Sequence, residues 1–353
     1  MASSGKVNIR GLEIGGGAPV RVESMLKSRI EDTEKCLEEI GGLRKAGCEL
    51  VRVAFPDDSC GPNLSKIIER SEIPIMADIH FNHKFALTAL DCGAASIRIN
   101  PGNMSGRAGL ESVLSAAESN GAVIRIGANG GSIGASRIAA CGGDRALALV
   151  NAAAEQIELL TRSGFEDIII SAKSSSVTET VRANHMLSGR YDFPMHIGIT
   201  EAGAGMSGAV KSAAGLAILL AQGIGDTIRV SLTGESVQEA EAGFTLLRSL
   251  NMRRRGVDII SCPCCGRRRV DVSDLLAKVK GILPEGLPDG FTIAVMGCEV
   301  NGPQEAAAAD IGIAGTPKGF VLFRRGKAVA SGGTEDMETS LAIHLKQSLD
   351  EFA

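Results

Sequence analysis

The sequence predicts an α/β protein, an N-terminal TIM (β/α)8 barrel followed by a smaller α+β domain. Three observations predict it. Short Val- and Ile-rich runs alternate with longer helical patterns from about residue 18 to 250. The runs do not alternate polar and apolar residues strictly, as befits parallel strands buried on both faces. After Leu250 the rhythm stops and a cysteine-rich region begins. An open doubly wound sheet is the structural alternative, but eight β/α units in about 230 residues fit a barrel better.

Taken in order, the strands are expected at 20–25, 50–55, 75–79, 96–99, 123–126, 168–172, 195–199 and 227–232. Helices are expected between them, notably at 33–46, 107–120, 146–163, 209–222 and 238–250. Residues 130–135, Gly-Gly-Ser-Ile-Gly-Ala, read as the opening of a long loop after the fifth strand. Asn251-Met-Arg-Arg-Arg-Gly256 is a short basic hinge that separates a barrel domain, 1–250, from a second domain, 256–353. In the second domain strands are expected at 257–261, 291–296, 320–324 and 327–330, with helices at 273–281 and from about 337.

Composition narrows the function classes. With 37 Lys+Arg against 41 Asp+Glu the chain lacks the basic field that nucleic acid or anionic lipid would require. Met1-Ala-Ser-Ser-Gly-Lys6 has no apolar core, and no run of about 18 apolar residues occurs, so a cytoplasmic protein without a membrane span is expected. Nine cysteines in such a compartment should be mostly reduced.

Catalytic groups of barrel enzymes collect at strand C-termini. Here those positions carry Arg52, Asp78 with His80, Arg98 with Asn100, Arg125 with Asn129, Lys173, Thr200 with Glu201, and Arg229 with Ser231. Arg52, Arg98, Arg125 and Lys173 ask for a highly anionic ligand, since guanidinium groups grip phosphate bidentately and Lys adds a point charge. Asn100, Asn129 and Ser231 can complete phosphate or hydroxyl contacts. Asp78 and Glu201 suit substrate hydroxyls or proton transfer. The face reads as built for a small polyol bearing a diphosphate.

The second domain supplies Cys262-Pro-Cys-Cys265 and, some thirty residues on, Cys298 followed by Glu305. Three thiols and a carboxylate can hold an iron–sulfur cluster; with Cys264 as a fourth thiolate, zinc is the competing reading. Arg253-Arg-Arg255 and Arg267-Arg-Arg269 are candidate docking patches for an acidic electron-transfer protein.

Cys262-Pro-Cys-Cys265 with Gly297-Cys-Glu-Val-Asn-Gly-Pro-Gln-Glu305 resembles the 4-hydroxy-3-methylbut-2-enyl diphosphate synthase family of the methylerythritol phosphate pathway. The likeness continues through Val51-Arg-Val53, Ala77-Asp-Ile-His-Phe81, Arg98-Ile-Asn-Pro-Gly-Asn103, Gly198-Ile-Thr-Glu-Ala-Gly203 and Gly223-Ile-Gly-Asp-Thr-Ile-Arg-Val-Ser231. The resemblance implies a [4Fe-4S] cluster on Cys262, Cys265, Cys298 and Glu305. It implies reductive dehydroxylation of 2-C-methyl-D-erythritol 2,4-cyclodiphosphate, with electrons from flavodoxin or ferredoxin. Arg52, Arg98, Asn100, Arg125, Asn129, Lys173, Thr200 and Ser231 would bind substrate, and Glu201, Asp78 and His80 would act near the reacting carbons. A non-catalytic cluster-bearing sensor and a zinc-stabilised sugar-phosphate enzyme are the alternatives.

The chain departs from the family pattern at three points. Glu23 replaces a glutamine, with Lys27 as the expected neutralising partner. Gln304 replaces a glycine before Glu305 and would cost about 1 kcal/mol if that backbone needs positive φ. Cys264 replaces a threonine. Finally, barrel helices end at the face opposite the site, and a six-residue hinge spans only about 20 Å against a barrel roughly 30 Å deep. A head-to-tail homodimer, each second domain capping its partner's barrel, is therefore expected.

Overall fold

The computed structural model describes residues 3–80, 82–100, 106–284, 287–300 and 302–352. The chain forms two compact units, Met1–Arg253 and Arg254–Ala353.

The first unit opens with a hairpin, β1 (Lys6–Ile9) and β2 (Leu12–Gly15). Arg10 and Gly11 both have positive φ, 52° and 90°, the requirement of a two-residue type I′ turn. Eight parallel strands follow: β3 (Arg21–Met25), β4 (Leu50–Ala54), β5 (Ile75–Asp78), β6 (Ser96–Ile99), β7 (Val123–Asn129), β8 (Ile168–Lys173), β9 (His196–Ile197) and β10 (Thr227–Ile228). They are ordered β8-β7-β6-β5-β4-β3-β10-β9, and a parallel bridge between Ile170 and Met195 closes the ring. All eight expected strands are present. The last two are short because the chain leaves the ladder early.

The helices are α1 (Thr33–Lys45), α2 (Gly61–Arg70), α3 (His83–Asp91), α4 (Arg107–Asn120), α5 (Ala135–Ala140), α6 (Arg145–Thr161), α7 (Val177–Ser188), α8 (Gly205–Ala221) and α9 (Ser236–Ser249). Side-chain caps start several of them: Asp32 accepts from Lys35 N–H, Asp144 from Leu147 N–H and Ser176 from Glu179 N–H. The stretch 130–135 is no open loop: a 3-10 turn, Gly130–Ser132, leads into α5.

Alternation along the strands organises the barrel interior in layers. The lowest inward residues are apolar: Leu50, Met76, Val123 and Ile169, and Ile9 and Ile14 of the hairpin pack onto them as a plug. Two residues further along the same strands stand Arg52, Asp78, Arg125 and Ser171. Barrel interiors are ordinarily filled by branched apolar side chains. Here the apolar layer supports a charged one.

The second unit is a five-stranded mixed sheet, β11 (Asp258–Ser261), β12 (Thr292–Met296), β13 (Ile311–Thr316), β14 (Gly319–Arg324) and β15 (Lys327–Gly332), in sequential order. The first three strands are parallel and the last two antiparallel. One face carries α10 (Val272–Ile282) and α12 (Met337–Phe352), packed through Leu275, Val279, Leu341 and Leu345 on Ile293, Val295 and Leu322. The other carries α11 (Gly302–Ala308), with Ala306 against Ala294 and Ala314. Neither β13 nor α11 was expected from the sequence.

Candidate functional site

At the C-terminal ends of the barrel strands lies a cavity of about 170 Å³ lined almost wholly by polar groups. Arg52, Asp78, His80, Arg98, Arg125, Asn129, Lys173, Thr200 and Ser231, all expected there, line it. Gly127, Ser171 and Arg229 complete the wall. Asn100 and Glu201 are not part of the lining; Asn100 directly follows β6, and Glu201 is exposed in the turn after Thr200, at φ 51°.

Charge inside the barrel is arranged in pairs. Asp78 stands between two guanidinium groups, Arg52 Nε at 3.6 Å and Arg98 Nη1 at 3.4 Å, with His80 Nε2 at 3.6 Å. Burial opposes the Asp78 carboxylate, but Arg52, the His80 hydrogen bond and Arg98 outweigh it and hold its pKa below the ordinary range. Asp78 is therefore ionised and orients the two arginines. Gly127 makes room for one of them, since a Cβ there would lie 3.2 Å from Arg98 Nε.

Beneath the lining, Arg125 Nη1 donates to Glu23 Oε2, and the second Glu23 oxygen lies 4.0 Å from Arg52 Nη1. Glu23 is fully buried and Arg125 is 1% exposed. Burial disfavours the Glu23 charge, yet Arg125 and Arg52 keep its pKa below the usual value. The expected Lys27 partnership is not formed. Lys27 Nζ instead meets Glu239 Oε1 at 2.7 Å, because Glu239, at 0% exposure, also takes Arg229 Nε at 3.1 Å and the Leu232 N–H at 3.1 Å.

His196 completes the interior. Its Nε2 lies 2.7 Å from Lys173 Nζ, its Nδ1 2.6 Å from Thr227 Oγ1 and 3.6 Å from Glu23 Oε2. An ammonium has no acceptor, so with Lys173 charged Nε2 accepts and the Nδ1–H donates to Thr227. Burial, with Arg125 and Lys173 beside it, holds His196 well below its ordinary pKa. Burial and the neighbouring Arg125 and Arg52 likewise push Lys173 well down.

Sequence reasoning missed His196 and Glu239. His196 sits at the start of a strand, not its end, and Glu239 lies in a helix. No strand-end rule points to either.

In the second unit the predicted ligands lie in the segments that follow the parallel strands β11 and β12. Cys262 follows β11, Cys298 follows β12, its parallel neighbour, and Glu305 stands in the first turn of α11. Gly297 N–H donates to Cys262 Sγ at 3.3 Å, and a Cβ on Gly297 would meet that sulfur at 3.3 Å and Val272 Cγ2 at 2.6 Å. The absent side chain thus leaves a sulfur cradle. The Arg267 backbone N–H and guanidinium hold the Cys265 thiol below its usual pKa. Among the described residues no three such side chains already converge to ligating distance. The donor types, the position of Cys262 and Cys298 after neighbouring strands, and the cradle nonetheless fit a thiolate-held cluster with one carboxylate ligand.

Two departures read differently in the structure than in the sequence. Gln304 lies within α11 and has no positive φ, so it carries none of the expected strain. Cys264 does, at φ 57°. The basic runs also divide. Arg253 is pinned by Glu49 at 2.9 Å and stacks 5.3 Å over the Phe244 ring, and Arg269 is paired with Glu299 at 2.8 Å, while Arg267 and Arg268 are exposed.

One family model, the GcpE TIM-barrel domain, matches residues 4–244, and a second, the GcpE protein C-terminal domain, matches residues 258–347. The chain belongs to the GcpE family. Two curated relatives are named 4-hydroxy-3-methylbut-2-en-1-yl diphosphate synthase (flavodoxin). That of Maridesulfovibrio salexigens is 46% identical over 316 residues, covering 90% of this chain and 88% of its own. That of Geobacter sulfurreducens is 43% identical over 350 residues, covering 99% of each. Among solved structures, dihydropteroate synthases from Stenotrophomonas maltophilia (TM-score 0.52, 16% identity) and Yersinia pestis (0.51, 14%) each cover 70% of this GcpE chain, and 97% and 100% of their own. At that identity the likeness is one of fold.

Proposed function

We propose that this GcpE protein reductively opens 2-C-methyl-D-erythritol 2,4-cyclodiphosphate to (E)-4-hydroxy-3-methylbut-2-enyl diphosphate for isoprenoid biosynthesis. The observation that carries the reading is a phosphate-sized cationic cavity in a chain whose thiol edge and barrel both match one family of oxidoreductases.

A [4Fe-4S] cluster on Cys262, Cys265, Cys298 and Glu305 would supply single electrons and an iron with affinity for oxygen. The chain's own residues do the rest. Arg52, Arg98, Arg125 and Lys173 bind the diphosphate, with Asn129, Thr200 and Ser231 as hydrogen-bonding partners in the cavity wall and Asn100 just beyond it. Arg229 reinforces them. Asp78 holds Arg52 and Arg98 aligned, so that the guanidinium groups need not reorganise on binding. His80, half exposed beside Asp78, is placed to move a proton at the mouth, and Glu201 meets the part of the substrate that projects there. Two electrons enter, the bond between a ring carbon and its phosphate oxygen breaks, and the hydroxyl oxygen leaves as water after protonation.

Flavodoxin, the donor in the relatives' names, is the electron source, with exposed Arg267 and Arg268 beside the thiol loop as its anchor. A cytoplasmic location follows, in keeping with the free thiols; no described helix is long and apolar enough to cross a membrane. The short connection between α9, ending at Ser249, and the second unit, beginning at Arg254, supports a head-to-tail homodimer.

The test is turnover of the cyclodiphosphate by anaerobically prepared protein with a chemical reductant. Product formation, with Arg125→Ala raising KM at least tenfold, is expected (about 1.4 kcal/mol of binding). Brown, iron-loaded protein that binds the cyclodiphosphate without converting it would overturn the reading.

A further inference from the structure

Glu23 is a carboxylate under a pocket that is to hold an anion. Simple electrostatics says it should weaken binding, yet it is fully enclosed and paired. Its Oε2 takes Arg125 Nη1, while Arg125 Nη2 has no hydrogen-bond partner among the described residues. The pairing therefore pins one arm of the guanidinium from outside the cavity wall, while the other arm, itself buried, stays without a partner there. The same oxygen faces His196 Nδ1 at 3.6 Å, whose opposite nitrogen meets Lys173 at 2.7 Å. One carboxylate thus meets, directly or through one ring, three of the cations that line the cavity, Arg125, Arg52 and Lys173.

We propose that Glu23 is a positioning and charge-setting residue of the anion pocket. It fixes Arg125 from behind, and its negative charge sets both how tightly the pocket holds a diphosphate and the pH range over which Lys173 contributes. The inference rests on the diphosphate reading above and deepens it.

The charged groups around Lys173 make the sign clear. Arg125 on β7, Arg52 on β4 and Arg229 after β10 disfavour its ammonium; Glu23 on β3 favours it, and His196 on β9 is neutral. Removing the Glu23 charge has two opposed effects. It raises the positive potential felt by an anion, and it lets Lys173 lose its proton at lower pH.

Inorganic pyrophosphate binding to the full, cluster-loaded chain, followed by calorimetry across a pH series, separates these effects. Glu23→Gln keeps an acceptor for Arg125 and should bind pyrophosphate roughly tenfold tighter at the acidic end. That advantage should shrink as pH rises, with loss of affinity beginning at lower pH than in the unsubstituted chain. Glu23→Ala, which frees Arg125, should bind more weakly than Glu23→Gln throughout. Circular dichroism checks that both variants fold. Superimposable curves for Glu23→Gln and the unsubstituted chain, or a uniform offset at every pH, would overturn the proposal. Absence of pyrophosphate binding by the unsubstituted chain would overturn the diphosphate reading itself, and this inference with it.

Discussion

Lys173 Nζ lies 2.7 Å from His196 Nε2, and both groups are buried in the barrel interior. A cation against an imidazole is tolerable only if the imidazole stays neutral. The depressed His196 pKa has a consequence for stability. Between its folded pKa and the ordinary value of about 6.5 the unfolded chain binds the extra proton, so stability is lost as pH falls through about 6.5. The depressed carboxylates Glu23 and Asp78 remain ionised there and contribute their loss only at much lower pH. The urea midpoint should fall between about pH 7 and about pH 5.5, and His196→Asn should flatten that fall. A midpoint independent of pH in this window would refute the neutral imidazole.

Cys264 and Gln304 make opposite predictions to those the family pattern suggests. Cys264→Gly removes a side chain from a left-handed residue and should stabilise the second unit by about 1 kcal/mol. Gln304→Gly should destabilise it by about 0.5–1 kcal/mol, because the position is helical. Thermal melts of the two variants decide the matter; stabilisation by Gln304→Gly would show the helical assignment of α11 to be in error.

Glu239 joins Arg229, Lys27, the Leu232 N–H and Ser24 Oγ (2.8 Å) in a buried junction. Glu239→Ala leaves a mostly buried guanidinium without its counter-charge and should cost about 3–5 kcal/mol. Chemical denaturation of the variant measures this directly, and a loss below about 1 kcal/mol would place the junction among the weak surface pairs.

Glu305→Ala should abolish stable cluster incorporation, read as iron and sulfide content and visible absorbance, while leaving the unfolding of the barrel unchanged. Full iron content in that variant would remove Glu305 from the ligand set.

Much of this was legible in the sequence because barrels write themselves with a repeating signal. Val/Ile runs ending in Arg, Asp or Lys mark both the strand and the wall of the cavity, and ten of the twelve barrel residues expected from that rule line it. What escaped has physical causes. The β1–β2 hairpin turns on Arg10-Gly11, and arginine gives no hint of the left-handed conformation it adopts. The α11–β13 pair hides in Ala306-Ala-Ala-Ala309 and Ile311-Gly-Ile-Ala-Gly-Thr316, where small residues allow close packing but resemble a linker. Ion-pair partnerships are fixed by three-dimensional neighbours, so Lys27 went to Glu239, and Glu23 took Arg125, a partner a hundred residues away.

The plug made by Ile9 and Ile14 turns the barrel into a blind well. A molecule that enters from the strand C-termini has no second exit, so substrate and product must share one doorway and traffic through it in turn. Anything lodged at that mouth arrests both directions at once. A chain shortened by its first fifteen residues would retain every charged group in the well, yet give water a back entrance to ions now shielded from it.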